Sequence, residues 1–398
     1  VTAEDNFAPK ASFTDADVVH LLSRTHFGGT AAEEAAVKAA GIPAYVTAMV
    51  APPAEPALEA EAEKQLWSKY DDPDLRGGFP THDQPARWWL HLMLGTTHPF
   101  RDELALFWHD HFATSTAPVD SSQTAWMVTQ VKLLRGQGAG NLRDLLVALC
   151  RDWMMLQWLD GVLNTKAAPN ENFAREFWEL FTLGADNGYT QGDIQEAARA
   201  FTGWRKRYIP NGQQIAEFDA TRHDPGSKSI FGYAIPAQAA TDDVEAVVDL
   251  TLAHRPAAEF FAKRLLEHFV YRNPSAAAIT TVANLLRASG WELAPVLKTL
   301  FTSEAFYSAK AKTALVRNPV QETVAFSRAT GLVPMDKLED WDAPDGSPNT
   351  LMKYQPVFRT IAPFGPSSSF SVPSRLMIVL ACSKPFFESP LRSSSSAA

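Results

Sequence analysis

From Asp15 to about Thr330 the apolar residues of this chain recur at helical spacing, in one segment after another, and glycine or proline ends each segment. Such spacing gives every segment one apolar stripe, which is buried only when it packs against other helices. One stretch differs: two short runs flank the Pro-Asn-Gly turn at 210–212, as in a β-hairpin over about 205–220. The sequence therefore predicts an all-α fold, a large multi-helix bundle with a small β-hairpin insertion.

With 398 residues the chain is long enough for two domains, yet its helical patterning continues without a clear break. We therefore expect a single, mostly helical domain over residues 1–335. After Gly331 the proportion of Pro, Ser and Asp rises, and the chain ends in SSSSAA. Residues 336–398 are predicted to form an irregular C-terminal region that packs on the domain and frays at its end.

Charge and composition argue against several kinds of partner. The formal net charge is −9 and no basic stripe is present, so nucleic acid is not expected as a ligand. Two cysteines do not form a disulfide framework, and no apolar run is long enough for a transmembrane helix. The chain begins at Val1 with small and polar residues, which is typical of a mature exported protein. We expect a periplasmic or secreted protein.

Charge is concentrated in the helical segment NENFAREFWELFTLG, residues 170–184. Asn170 or Asn172 is suited to cap its start. Glu171, Arg175 and Glu179 follow one another at i, i+4 and i+8 on the face opposite the apolar stripe. This spacing predicts a solvated ion-pair ladder along the helix.

Glu176 lies on the margin of the apolar stripe of this helix, unlike the residues of the ladder. A carboxylate there is partly desolvated, which favours its protonated form and suits it to donate a proton. The alternative is a helix-pairing residue that is bonded to an arginine, Arg175 included, or to a backbone amide. Both interpretations of Glu176 are open at the level of the sequence.

The segment LALFWHDHFATS, residues 104–115, contains two histidines that resemble a metal-binding pair. On a helix, however, residues i and i+2 point about 200° apart, so His109 and His111 cannot bind one ion there. His111 shares the apolar stripe with Trp108 and is expected to be a core histidine, with a general base or a single ligand as the alternative. His109 lies at the flank of this stripe, where it is a candidate orienting or substrate-binding group.

A second pair of titratable residues follows the predicted hairpin, in the loop RHDPGSK at 222–228. His223 and Asp224 stand on a Pro-Gly turn, and loops carried by a rigid scaffold often hold catalytic groups. The alternative is that Asp224 only shapes a β-turn, with Gly226 near its end. Glu176 and a carboxylate on this loop would supply the proton donor and the base or nucleophile that glycosidic hydrolysis requires.

The chain has 11 Trp and 24 Phe, most of which are expected in the core. An exposed tryptophan can also stack on a sugar ring, and Trp108 and Trp204 are the candidate substrate contacts of this kind. The signature motifs of nucleotide-binding proteins, zinc proteases, EF-hands and α/β-hydrolases are absent from the sequence. We predict no cofactor, with a divalent metal as the alternative.

Several of these segments together resemble a bacterial protein family known as domain of unknown function 1800. The resemblance rests on HLLSRTHFG, ELALFWHDHFATS, NENFAREFWELFTLG…GYTQGDIQEAARAFTGW, FDATRHDPGSKSIFG, and AAEFFAKRLLEHFV followed by LFTSEAF. These motifs span about residues 15–325 in the order of the family. Family members usually continue with a Gly-Gln and a Pro-Pro…Gly-Trp stretch, of which KYQPVFRTIAPFGPSSSF keeps only fragments.

The resemblance implies a mostly helical, exported bacterial protein, commonly made with a twin-arginine-type signal. Members of the family are often found with a sulfatase-like partner family and in polymer-degrading bacteria, and no settled activity comes with the family. The resemblance also implies a set of characteristic polar positions: His109, Asn170, Glu171, Arg175, Glu176, His223 and Asp224.

These observations lead to the hypothesis of an exported hydrolase that cleaves glycosidic bonds in a polysaccharide by carboxylate acid/base chemistry. Glu176 would donate the proton and Asp224 would act as the base or nucleophile. His109 and His223 would orient or bind the substrate, a carbohydrate polymer or oligosaccharide. The candidate substrate-binding residues are Arg175, Glu171, Asn170, Trp108 and Trp204.

Two other kinds of function are consistent with the same residues. The first is a non-catalytic glycan-binding or scaffold protein, in which the polar block is a structural ion-pair network. The second is a metal-dependent enzyme, in which separate segments bring four ligands to one ion. Those ligands would be His109, His223, Asp224 and Glu176.

Overall fold

Helices make up most of the chain in the computed structural model, which describes residues 2–67, 84–116, 125–208, 214–237 and 242–330. Within these ranges the α-helices are α1 (Asp15–Thr25), α2 (Ala31–Ala40), α3 (Ile42–Met49), α4 (Pro56–Trp67), α5 (Gln84–Gly95), α6 (Pro99–His111), α7 (Ala125–Gln137), α8 (Leu142–Cys150), α9 (Trp153–Trp158), α10 (Asn172–Glu176), α11 (Gln191–Ala200), α12 (Asp242–Ala253), α13 (Arg255–Phe269), α14 (Ala276–Ala288), α15 (Leu293–Thr302), α16 (Ala309–Ala314) and α17 (Pro319–Thr330). The predicted all-α class is confirmed.

Side-chain caps fix where several of these helices begin. Thr14 accepts a hydrogen bond from the backbone amide of Asp17, whose carboxylate accepts one from the Thr14 amide at 2.9 Å. Thr190 and Asp193 form the same reciprocal pair at the start of α11. Such capping boxes satisfy backbone donors that the first turn of a helix leaves free.

The predicted hairpin is present as β1 (Trp204–Tyr208) and β2 (Gln214–Phe218). The two strands are antiparallel, with Trp204 opposite Phe218. Beneath them lies a small apolar cluster that includes Leu156 and Val162.

A second small hairpin, which the sequence did not predict, follows the loop at 222–228. It consists of β3 (Lys228–Ile230) and β4 (Tyr233–Ile235), joined through Phe231 and Gly232. Both connecting residues have positive φ, 53° and 79°, as a two-residue hairpin turn of the primed type requires. Phenylalanine rarely adopts this conformation, so the turn has no obvious signal in the sequence.

One continuous apolar core receives side chains from α1 through to α17. Helix α13 shows how the sequence pattern builds this core, because one of its faces is completely buried. The residues of that face are Ala257, Ala258, Phe261, Ala262, Leu265, Leu266 and Phe269. The opposite face of α13 carries charged residues and borders the groove described below.

Two further predictions concern the C-terminal region and the absence of a transmembrane helix. The predicted C-terminal region, 336–398, lies outside the described residues. Among the helices that the structure does describe, none combines the length and the apolar composition that crossing a bilayer requires.

Candidate functional site

A π-helical turn, Phe177–Thr182, continues α10 without a break. Its hydrogen bonds span five residues: the Leu183 amide donates to the Trp178 carbonyl at 2.9 Å, and the Thr182 hydroxyl donates to the Phe177 carbonyl at 2.6 Å. The sequence predicted ordinary α-helical geometry here, so the π-turn is a local correction. Turns of this kind are rare and are often found at functional sites.

His111, at the end of α6, is held between the π-turn and α13. Its Nε2 lies 2.8 Å from the carbonyl oxygen of Phe181, and its Nδ1 lies 3.3 Å from Nε of Arg264. A carbonyl only accepts and an arginine only donates, so Nε2 carries the proton and Nδ1 is the acceptor. His111 is therefore a buried histidine with both ring nitrogens engaged, as its place on the apolar stripe predicted.

A groove of about 570 Å³ runs between the π-turn and helices α13 and α14. This volume is within the range of small-ligand sites in proteins. The side chains that give the groove its chemical character are Glu179, Arg255, Glu259, Phe260, Lys263, Arg264 and Glu267. The groove thus combines three carboxylates, three cations and a half-buried aromatic ring.

The predicted ion-pair ladder is present, and its last member lines this groove. Arg175 contacts Glu171 at 3.0 Å and Glu179 at 3.5 Å through different guanidinium nitrogens. Asn170 accepts a hydrogen bond from the Asn172 amide at 2.9 Å, which supports the start of α10. Glu171, Arg175 and Asn170 therefore have structural partners, and the ladder reaches the groove only through Glu179.

Glu176 is the last residue of α10 and is half-buried, which agrees with its predicted place at the margin of the apolar stripe. None of the hydrogen bonds or ion pairs of His109, His223 or Asp224 involves Glu176. The four predicted catalytic residues are also not among those that line the groove.

Asp224 is engaged by an arginine from α11. Arg199 donates from Nε and Nη2 to the two carboxylate oxygens, at 2.7 and 3.3 Å. The Gly226 amide donates to the same carboxylate at 2.9 Å, which closes the turn. These donors, the Arg199 side chain first, lower the pKa of Asp224. The turn-forming interpretation of Asp224 fits this geometry better than that of a free base or nucleophile.

His223 is buried beneath the same loop, in a cluster with two charged residues. Its Nδ1 donates to the Thr202 carbonyl at 3.0 Å, and its Nε2 lies 3.4 Å from a carboxylate oxygen of Asp243. Lys228, also buried, contacts the same oxygen of Asp243. Burial acts to lower the pKa of His223, but the nearby Asp243 carboxylate and the Thr202 carbonyl outweigh it and raise the pKa. His223 fastens the loop to α12 rather than meeting solvent.

His109 lies deeper in the protein than its predicted place at the flank of α6. It is 3% exposed, and its ring packs edge-on against Trp89 at 5.5 Å between centroids. Burial lowers the pKa of His109 to about 4, so the ring is neutral near pH 7. The prediction that His109 binds or orients a substrate is not supported, because a buried ring has no access to one.

The two tryptophans proposed as sugar platforms are core residues. Trp108 is fully buried, and its indole N–H donates to the Gly138 carbonyl at 2.8 Å. Trp204 is 8% exposed and packs against Phe218. Burial of both rings argues against stacking on a sugar, and the substrate-binding roles of Trp108 and Trp204 stay predictions.

The metal-site alternative also finds no geometric support. In the described part of the chain no three His, Cys, Asp or Glu side chains are grouped as ligands of one ion. His223 and Asp224 are neighbours with separate partners, and His109 has no contact with either.

The groove residues of α13 were missed by reasoning from the sequence alone. Glu259, Lys263 and Glu267 recur at i, i+4 and i+8, which is the same spacing that revealed the ladder on α10. That signal shows only a polar helix face. It does not show that the π-turn lies opposite this face and makes it one wall of a groove.

Over the residues that the structure describes, the chain is a mostly helical protein with a charged groove, lined in part by an aromatic ring, beside a π-turn. The sequence profile described as "Protein of unknown function (DUF1800)" matches residues 20–374 of the chain. The chain therefore belongs to the DUF1800 family, as the resemblance indicated. No curated protein and no solved structure was found to match it.

Proposed function

We propose that the protein binds a poly- or oligosaccharide in the groove between the π-turn and α13. The observation that carries this proposal is the position of Phe260, whose half-buried ring lies among carboxylates and cations in one groove. A sugar presents hydroxyl groups around its rim and C–H groups on its faces. Charged side chains can exchange hydrogen bonds with the rim while an aromatic ring covers a face.

Binding without hydrolysis is favoured over the hydrolase hypothesis by the state of the predicted catalytic residues. The Asp224 carboxylate is already engaged by Arg199 and Gly226, and His223 and His109 are buried. A hydrolase would need a second accessible carboxylate to replace Asp224.

Hydrolysis remains a second candidate because of one spacing. Glu176 precedes Glu179 by three residues, directly before the π-turn, and Glu179 lines the groove whereas Glu176 does not. These two carboxylates, rather than Glu176 and Asp224, would then act on a bound glycan. The test measures whether the wild type hydrolyses any glycan that it binds. If Glu176→Gln still binds that glycan but no longer hydrolyses it, hydrolysis by Glu176 is supported. Absence of turnover in the wild type removes this candidate.

Export to the periplasm or the medium is part of the same proposal, because extended polysaccharides are found there. Cell fractionation of a bacterium that expresses the full-length gene product tests it. Accumulation in the cytoplasm of healthy cells would contradict it.

The groove is best tested by blocking it from a surface position. Ala276, exposed on α14, lines the groove, whereas its exposed neighbour Ala277 does not. Ala276→Trp should lower affinity at least tenfold for glycans that the wild type binds on an array, about 1.4 kcal/mol. Ala277→Trp is the matched control and should bind as the wild type does. Equal binding by both variants, or no glycan binding by the wild type, would contradict the proposal.

A further inference from the structure

We infer that Arg264 recognises an anionic oxygen group on the bound glycan, and that His111 is the positioning residue that aims Arg264. This inference rests on the proposed function and specifies the class of glycan. The group would be the carboxylate of an acidic sugar or a sulfate ester, since both offer paired, negatively charged oxygens.

Arg264 uses less of its guanidinium in hydrogen bonds than Arg199 and Arg135 do, and Arg255 of the same groove likewise makes one, from Nε to Glu259. Arg199 and Arg135 each give two nitrogens to one carboxylate, on Asp224 and Asp102 respectively. The one hydrogen bond that Arg264 makes among the described residues runs from Nε to His111. No hydrogen bond among the described residues uses Nη1 or Nη2, and Nη2 has a longer ion-pair contact with Asp110.

The ion pair between Arg264 and Asp110 engages only Nη2, and only loosely. The distance from Nη2 to the Asp110 carboxylate is 3.6 Å, longer than a hydrogen bond, and the Asp110 side chain is 53% exposed. Exposed pairs of this kind contribute little free energy. An anionic group in the groove can therefore replace or join Asp110 at low cost.

His111 determines which edge of Arg264 is available. Its Nδ1 accepts from Arg264 Nε, and its own Nε2 proton is committed to the Phe181 carbonyl of the π-turn. With Nε directed into the protein, the parallel Nη1 and Nη2 donors form the fork that matches two oxygens of one anion. The π-turn, the histidine and the arginine thus form one chain of contacts that ends in the groove.

The other charges in the groove limit how acidic the ligand can be. Besides Arg264, three carboxylates and two cations line the same walls: Glu179, Glu259, Glu267, Arg255 and Lys263. The positive charge of the groove is therefore largely balanced, and each carboxylate repels additional negative charge. A glycan with one acidic group among neutral sugars fits this charge pattern better than a chain that is charged at every residue.

The test compares acidic glycans with their neutral parents. The probes are a glucuronic-acid-substituted xylotetraose with xylotetraose, sialyllactose with lactose, a sulfated lactosamine with lactosamine, and trigalacturonate. We expect at least one singly acidic probe to bind tenfold more tightly than its parent, and trigalacturonate to bind less tightly than that probe. Preference for a uronate or for a sulfate identifies the source of the anion. Equal binding of acidic and neutral partners overturns the inference and leaves glycan binding intact, whereas no binding at all removes both.

Variants separate recognition from a general effect on the fold. Arg264→Gln should reduce the acidic-to-neutral affinity ratio roughly tenfold or more, and Arg264→Lys, which keeps the charge but not the fork, should reduce it less. Arg207→Gln, on the exposed hairpin, makes the same change of charge elsewhere and should leave the ratio unchanged. A preference that survives in folded Arg264→Gln overturns the inference.

The positioning role of His111 is tested by a double-mutant cycle. His111→Gln should lower the acidic-to-neutral affinity ratio in the wild-type background. The same substitution should have no further effect on this ratio in Arg264→Gln. An equal loss of affinity for acidic and neutral probes would mean that His111 is only structural. Should His111→Gln fail to fold, the two Arg264 variants still decide whether Arg264 recognises the anion.

Discussion

Arg199 donates to both carboxylate oxygens of Asp224, at 2.7 and 3.3 Å, and joins α11 to the loop between the two hairpins. The two residues are 25 positions apart in the chain. This contact converts a predicted catalytic carboxylate into a tie between two parts of the fold. We therefore expect substitution of Asp224 to act mainly on the stability of the fold.

Asp224→Asn should lower the free energy of unfolding at pH 7 by about 1 kcal/mol, since the pair is partly exposed. The pKa of Asp224 is lower in the folded protein than its ordinary value of 3.8. The stabilisation that ionised Asp224 gives the fold is therefore present above pH 3.8 and is lost as the pH falls through the pKa of Asp224 in the folded state. Urea unfolding of both proteins at pH 7 and near pH 3 checks this: the difference should shrink in acid. A difference independent of pH would contradict it.

His223→Gln should destabilise the protein more at pH 6 than at pH 9. The pKa of His223 is raised above 6.5 in the folded state, because Asp243 and the Thr202 carbonyl outweigh the effect of burial. A histidine whose pKa is raised on folding stabilises the fold at pH values below its pKa in the unfolded chain. This stabilisation is lost as the pH rises through its pKa in the folded state. Thermal unfolding over this pH range measures the difference. A penalty that increases with pH would show that His223 is neutral in the fold.

His109→Leu should make the protein less sensitive to acid. The pKa of His109 falls from 6.5 to about 4 on folding, so the unfolded chain gains a proton first, and stability decreases as the pH drops from 6.5 towards 4. The shift corresponds to roughly 3 kcal/mol at most. Unfolding curves at pH 7 and pH 4.5 should show a smaller loss for the variant than for the wild type. An identical loss in both would place a charged His109 in contact with water.

Gly184→Ala should destabilise the end of the π-turn by about 1 kcal/mol. Gly184 has a φ of 93°, which alanine adopts only with strain, while the added methyl group would meet Phe260 at an ordinary 3.5 Å. Gly136→Ala in α7, where nothing lies within 4 Å, is the control and should be neutral or stabilising. The melting temperature should fall for Gly184→Ala and should stay unchanged or rise for Gly136→Ala. A stable Gly184→Ala variant would mean that the turn does not need this conformation.

The fold class was predictable because helical periodicity and the Pro-Asn-Gly turn are local signals. The ladder of Glu171, Arg175 and Glu179 was predictable for the same reason. The π-turn was not, since one extra residue in a turn hardly changes the spacing of the apolar side chains. The second hairpin was hidden by Phe231 at a positive φ.

The candidate site was far less predictable than the fold. Its walls come from the π-turn, α13 and α14, and only tertiary packing brings Glu179 into one groove with Lys263 and Arg264. The sequence is consistent with both a turn-forming and a catalytic Asp224. Nothing in the sequence identifies Arg199 as the partner whose contact favours the turn. Trp108 and His109 show that residue type alone did not reveal burial.

Hydrogen–deuterium exchange with and without the tightest-binding glycan of the panel tests the groove most directly. Protection should be concentrated in residues 179–187, 255–267 and 276–280, which line the groove. The loop at 222–228, with His223 and Asp224, should exchange at the same rate in both states. Protection of that loop, with unchanged exchange in the groove, would contradict the proposed site and would indicate that the ligand binds beside Asp224.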